Sequence, residues 1–251
     1  MSCQYSVAAL VVLALFILFV HFGAKHVNRK FVSQLLSEFD DDGQHSLTFV
    51  LSLPNDETLF FTPTLEILRN SPMVSSQDVT IRALVLTRGG SSGPGDKHVL
   101  EMEELCFKYN MQCSVLDVPE ILDESRYEDP EKAIPHIEAY LERHKSDFVI
   151  TFDRHGGDHS HIHVNTHNAV AALKKKKPDL KVWTLITFNG VERFLPIYVV
   201  MRYLFRKPSC VYNTPVEVYR NWKIHGSQRK WYTPLYAFFS SYSYANSFHI
   251  L

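Results

Sequence analysis

The chain has almost no charge imbalance: 26 Lys+Arg against 27 Asp+Glu leave −1 over 251 residues, with a pI near 6.9. No bulk attraction to a polyanion follows, so nucleic acid is not an expected partner and any basic contact must be local. Cysteine is scarce. Cys3, Cys106, Cys113 and Cys210 form no C-x-x-C pair, which argues against a zinc knuckle and a disulfide framework. Reduced, buried thiols in a domain facing the cytosol are the expectation. The glycine signatures of phosphate binding are missing too, since residues 88–95 (Arg-Gly-Gly-Ser-Ser-Gly-Pro-Gly) match neither a P-loop nor G-x-G-x-x-G. That stretch reads as a mobile lip over a crevice. Beyond the first segment no apolar run is long enough to span a bilayer: residues 194–205 are apolar but short and interrupted by Arg202. They read as a helix lying on the domain or on a membrane surface.

What is present begins with that first segment. Residues 7–20 are apolar without interruption, and Lys25, His26, Asn28, Arg29 and Lys30 follow. The run is near the lower limit of the ~17–25 residues that cross a bilayer. Its basic flank comes after the apolar core, the reverse of a secretory signal, so it reads as a single-pass anchor with the rest of the chain in the cytosol. Residues 1–30 are therefore assigned to a membrane anchor, 31–45 to a linker in which Phe31 to Glu38 can continue as a helix before Asp40-Asp41-Asp42-Gly43, and 46–251 to one domain.

Within that domain, buried strands are expected at residues 46–52, 79–87, 112–118, 147–152 and 180–187. Helices are expected at about 58–69, 97–109, 130–144 and 163–174. Pro63 is tolerated in the early turns of the first of these. Strands alternating with helices mean an α/β fold with a doubly wound, mostly parallel sheet. In such a sheet ligands bind outside the carboxyl ends of the strands. Two polar loops occupy that position: Leu53-Pro54-Asn55-Asp56-Glu57 after the first strand, and the histidine-rich segment with His155, His159, His161, His163 and His167 after the fourth. Neutral imidazole is a common zinc ligand, so a carboxylate such as Asp56 and a histidine such as His163 are candidates to hold one ion. The plainer alternative is a polar loop of exposed histidines. From residue 231 onward the chain is dense in aromatics, suited to a core cap or a membrane-interface belt.

With both loops in place the chain resembles the N-acetylglucosaminyl-phosphatidylinositol de-N-acetylases, the PIG-L-like enzymes of glycosylphosphatidylinositol anchor synthesis. The resemblance rests on Pro54, Asp56 and Glu57 after the first strand and on Thr151-Phe152-Asp153 entering the histidine loop. It extends to a tail with His225-x-Ser227-Gln228, Trp231, Leu235-Tyr236, Phe239-Ser240 and Asn246-Ser247, which carries no obvious chemistry. It implies a Rossmann-like fold, a zinc ion, a glycosylated phosphatidylinositol as the membrane-lipid partner, and an endoplasmic reticulum location. The metal ligands it implies are Asp56 and His163. The position of the family's first ligand histidine is Leu53, which coordinates nothing, and the general-base aspartate is Asn55, whose amide has no basic lone pair at neutral pH. His159 and His161 flank Ser160, where the family has another histidine, and are the candidates to supply the missing ligand or base. His98 and Glu101 fall where the family has an Arg and a Glu that meet substrate. Two functions follow: a membrane-anchored amidase that removes acetyl from the sugar lipid, or a non-catalytic member retained as a binding or regulatory subunit.

Overall fold

The computed structural model describes residues 2–39, 45–76, 79–89, 95–116, 118, 120–121, 128–146 and 148–251. The chain opens with α1 (Ser2–Leu36), then β1 (Ser46–Leu51), α2 (Asp56–Phe60), α3 (Thr62–Arg69) and α4 (Pro72–Ser76). Next come β2 (Thr80–Val85), α5 (Gly95–Tyr109), β3 (Gln112–Val115), α6 (Ile134–Arg143) and β4 (Phe148–Phe152). The remainder is α7 (Gly156–His159), α8 (His161–Lys176), β5 (Lys181–Leu185), α9 (Pro196–Tyr203), β6 (Ser209–Val211), α10 (Pro215–Ile224), α11 (Thr233–Phe239) and β7 (Ala245–Ile250).

All the strands join one sheet in the order β3-β2-β1-β4-β5-β7-β6. Strands β1 to β5 are parallel, and β7 pairs antiparallel with both β5 and β6. Every residue of β1 and β4 is buried, as strands covered on both faces require. One face carries Ile137, Ala169, Val170 and Leu173 of α6 and α8; the other carries Leu65, Leu68, Met102 and Leu105 of α3 and α5. The expected α/β, doubly wound, mostly parallel architecture is the observed one. Its strand order reverses between β1 and β4, the switch point at which such sheets bind ligands, so the loops after these two strands open into one crevice.

Three expectations are corrected. The single helix foreseen at residues 58–69 is broken at Phe61, because Pro63 has no N–H for the helix ladder and its ring crowds the carbonyl of Leu59. The boundary foreseen at residue 31 moves: the helix does continue, to Leu36, as the sequence allowed, but Phe31, Val32, Leu35 and Leu36 lie in the core of the domain and not in a linker, and Phe31 stacks on Phe248 at 5.8 Å. Asn28 of the same helix pairs with the backbone of Val211 on the edge strand β6, its Nδ2 donating to the carbonyl (2.8 Å) and its Oδ1 accepting from the N–H (2.9 Å). Finally, Cys106 and Cys113 are joined in a disulfide where reduced thiols were expected. The turn from α5 into β3 brings their Cα atoms to 6.2 Å, within disulfide reach; Cys210 is free and buried. The aspartate run and the glycine-rich lip fall largely at 40–44 and 90–94, outside the described residues.

Helix α1 has two halves. Its residues from Leu10 to Leu36 make the one helix, among those described, long and apolar enough to cross a membrane. Leu10, Leu13, Phe16, Phe19 and Phe22 are exposed, whereas Val27 onward joins the domain core.

Candidate functional site

The loop after β1 is built around Asp56. Its buried carboxylate receives the backbone N–H groups of Ser52 and Leu53 on Oδ2, both at 2.8 Å, which folds the chain back on itself and opens α2. An acidic residue in a first helical turn is also favoured by the exposed N–H groups there. Oδ1 stays free of the backbone and accepts from His163 Nε2 at 3.0 Å. On its other side His163 Nδ1 meets Asp158 Oδ1 at 2.7 Å. The imidazole stacks on Phe152 with ring centroids 4.3 Å apart. Gly156 makes this seat possible, since its φ is +68° and a Cβ there would fall 2.8 Å from the Cβ of His163. Burial by itself lowers the pKa of His163, but the carboxylates of Asp56 and Asp158 outweigh it and push it up to about 10. Burial likewise raises Asp158, and its hydrogen bond to His163 more than reverses that, holding it below its ordinary value.

Asp56 and His163, expected to converge, do so. The rest of the site differs from a metal centre. Leu53 is an apolar side chain beside Gly89 and His98: a Cβ on Gly89 would meet Leu53 Cδ2 at 3.2 Å and His98 Nδ1 at 3.4 Å. His98 is buried, and its Nδ1 has no hydrogen-bond partner among the described residues. Asn55 adopts φ 135°, a region L-residues avoid and asparagine tolerates best. Its Nδ2 donates to Gln228 Oε1, and Gln228 Nε2 donates to the Pro54 carbonyl at 2.7 Å, so the amide is clamped in place. His155, His159 and His161 are exposed on the α7–α8 turn, and His167 turns away to the Phe152 carbonyl at 2.9 Å. Glu101 accepts from the N–H and hydroxyl of Ser227, at 2.8 and 2.6 Å.

The tail, which sequence reasoning left without chemistry, supplies a wall of this site. His225 is fully buried and its Nε2 donates to Glu57 Oε1 at 2.6 Å, while the other oxygen of Glu57 accepts from the backbone of Asn55 at 3.1 Å. The available signal was the His225-x-Ser227-Gln228 cluster, a polar run directly after a helix. Arg193 was also missed: its Nη2 donates to the Gly157 carbonyl at 2.6 Å and braces the β4 loop.

The donor set does not fit a zinc site with several protein ligands. Asp56 and His163 are oriented as ligands commonly are, each with its remaining polar atoms held by neighbours. Yet no group of three His, Cys, Asp or Glu side chains able to hold a metal exists among the described residues, and the aliphatic Leu53 beside Asp56 offers no donor. Asn55 cannot take a proton from water at neutral pH. What remains is a buried imidazole between two carboxylates, placed by the loops at the carboxyl ends of β1 and β4. A separate groove of about 1130 Å³ between α6 and the end of α8, lined by Glu138, Glu142 and Lys177, contains none of these residues.

Residues 49–174 match the family described as "PIG-L: GlcNAc-PI de-N-acetylase". A probable N-acetylglucosaminyl-phosphatidylinositol de-N-acetylase of Schizosaccharomyces pombe is 26% identical over 154 residues, covering 60% of this chain and 60% of the relative. The enzyme of that name from Saccharomyces cerevisiae is 25% identical over 173 residues, covering 66% of this chain and 55% of the relative. The chain thus spans under two thirds of the length of these curated relatives. Among solved structures, a triple mutant of the deacetylase Orf2* of the teicoplanin biosynthetic pathway superposes with a TM-score of 0.53 at 9% identity, over 73% of this chain and 83% of that one. The 4-carboxy-2-hydroxymuconate hydratase GalB of Pseudomonas putida KT2440 gives 0.52 at 8% identity, over 83% and 96%. A hydrolase and a hydratase on the same scaffold are alike in fold, not in chemistry.

Proposed function

Because the chain belongs to the PIG-L family of GlcNAc-PI de-N-acetylases, we propose that it is a membrane-anchored member that binds a glycosylated phosphatidylinositol at the β1/β4 crevice with its hydrolytic step impaired. It acts as a binding or regulatory subunit of glycosylphosphatidylinositol anchor synthesis. The anchor is α1, which crosses the endoplasmic reticulum membrane once with the domain on the cytosolic side.

The observation that carries this reading is the pair Leu53 and Asn55 flanking Pro54. An aliphatic side chain replaces a ligand, and a clamped amide replaces the base. Loss of a general base alone removes ~10²–10⁴-fold of rate, and loss of a ligand compounds it. The retained polar residues support binding: Asp56, His163, Glu101 and His98 stand at the positions where the family resemblance implies residues that meet metal or substrate, and Asp56 and His163 meet at the carboxyl ends of β1 and β4.

The rival reading, an active zinc-dependent amidase, is favoured by the intact Asp56–His163–Asp158 array. The two are separated by acetate release from an N-acetylglucosaminyl-phosphatidylinositol analogue with zinc added. The natural chain is expected at the level of an Asp56→Ala control, and Leu53→His with Asn55→Asp is expected to rise above it. Release by the natural chain well above that control overturns the proposal.

A further inference from the structure

A second cavity lies away from the crevice, between α1 and the C-terminal part of the domain. It is a groove of about 870 Å³, bounded by Phe16, Ile17 and Val20 of α1 on one side and by Ile197, Phe238 and Phe239 of α9 and α11 on the other. Its lining is mostly apolar and its outer lip is not covered: Ile197 is 73% and Phe239 58% exposed. Phe194 and Leu195, just before α9, and Phe205, just after it, are exposed as well.

Geometry fixes the depth of these side chains. Helix α1 is seated on the domain at Gly23, where a Cβ would meet Leu204 Cδ2 at 3.3 Å. Seven helical residues separate Gly23 from Phe16, about 10 Å of rise at 1.5 Å per residue. The hydrocarbon half of one leaflet is about 15 Å deep. If Phe16, Ile17 and Val20 lie in hydrocarbon, then Ile197 and Phe239, which share a groove with them, lie at a similar depth. Exposed cations sit where headgroups would be: Lys25, Arg29 and Lys30 follow the apolar half of α1, and Lys207 follows α9.

We infer that the domain does not hang from its anchor but sinks α9 and α11 into the cytosolic leaflet, with phospholipid acyl chains filling the groove between them and α1. This rests on the anchor reading above and deepens it. The continuity of the groove with the membrane-crossing half of α1 selects lipid as its occupant over a soluble partner. The arrangement also links leaflet and site. Arg193 lies in the turn Glu192–Phe194 directly before α9, and its guanidinium grips the Gly157 carbonyl on the β4 loop.

The test uses the full chain carrying Cys3→Ser, in vesicles of phosphatidylcholine and phosphatidylserine. Single cysteines at Ile197→Cys and Phe239→Cys are labelled with an environment-sensitive fluorophore. Leu13→Cys reports insertion of α1, and Phe107→Cys, a site 90% exposed on α5, reports water. Lipids bearing a nitroxide on the acyl chain should quench the labels at 197 and 239 as strongly as the label at 13, and leave the label at 107 unaffected. Quenching at 13 alone overturns the inference while leaving the anchor intact. Quenching at none of the sites overturns both. Blue-shifted but unquenched emission at 197 and 239 overturns it in favour of a second copy of the chain covering the groove.

Discussion

At the scale of single residues the site is a set of buried charges, each held by a neighbour distant in sequence. The carboxylate of Glu57 and the imidazole of His225 are almost inaccessible to water and 2.6 Å apart. Removing one partner of such a hydrogen bond leaves the other buried and unsatisfied, at a cost of about 1–3 kcal/mol. Glu57→Ala should therefore lower the equilibrium unfolding free energy by that order, whereas Glu57→Gln, which still offers a carbonyl oxygen to His225, should lose clearly less. Urea titration followed by fluorescence reads both, and equal losses in the two variants would contradict the assigned hydrogen bond. Sequence alone made half of this site visible. Leu53, Asn55 and Asp56 flank Pro54 at the end of a buried strand, and His163 stands in a conspicuous run of histidines. The partners of that half were invisible because they come from far along the chain: Gln228 reaches Asn55 across 173 residues and His225 reaches Glu57 across 168. Nothing in a local pattern encodes such a closure. Abundant histidine was a poor guide in the opposite direction, since His159 and His161 are exposed and only His163 is drawn in by the close approach of Gly156.

At the scale of elements, alternation of strands and helices was sufficient to read the mostly parallel sheet, whereas the order of its strands and the antiparallel pair β6 and β7 rest on contacts between segments far apart in the chain. Boundaries were less legible wherever a proline or a tertiary contact decided them, as at Phe61 before Pro63 and along the second half of α1, whose Phe31 and Leu35 look like linker residues until the core receives them. The cysteines show the same limit. Spacing suggested isolated thiols, but a tight return from α5 into β3 brings Cys106 and Cys113 together. A loop of this size closed by a disulfide contributes on the order of 2–3 kcal/mol through the unfolded chain. Alkylation without reductant, followed by mass spectrometry of the unfolded protein, should modify Cys210 and leave Cys106 and Cys113 unmodified. Modification of all three would return them to the reduced state that the spacing implied.

At the scale of the whole molecule, α1, the sheet and the tail pack together. The apolar half of α1 projects from a domain whose core contains its other half, the tail reaches the loop after β1 through His225 and Glu57, and the turn before α9 reaches the β4 loop through Arg193. The α/β fold of the family is present, while among the described residues no group of three His, Cys, Asp or Glu side chains able to hold a metal accompanies it. Asp56 and His163 meet each other at 3.0 Å, and His163 meets Asp158 at 2.7 Å, so a cation bound here would have to find its remaining ligands elsewhere. The most direct test is elemental analysis of zinc in the full-length protein purified without chelator. The account predicts far less than one zinc per chain, unchanged by Asp56→Ala; about one zinc per chain, lost in Asp56→Ala, would contradict it.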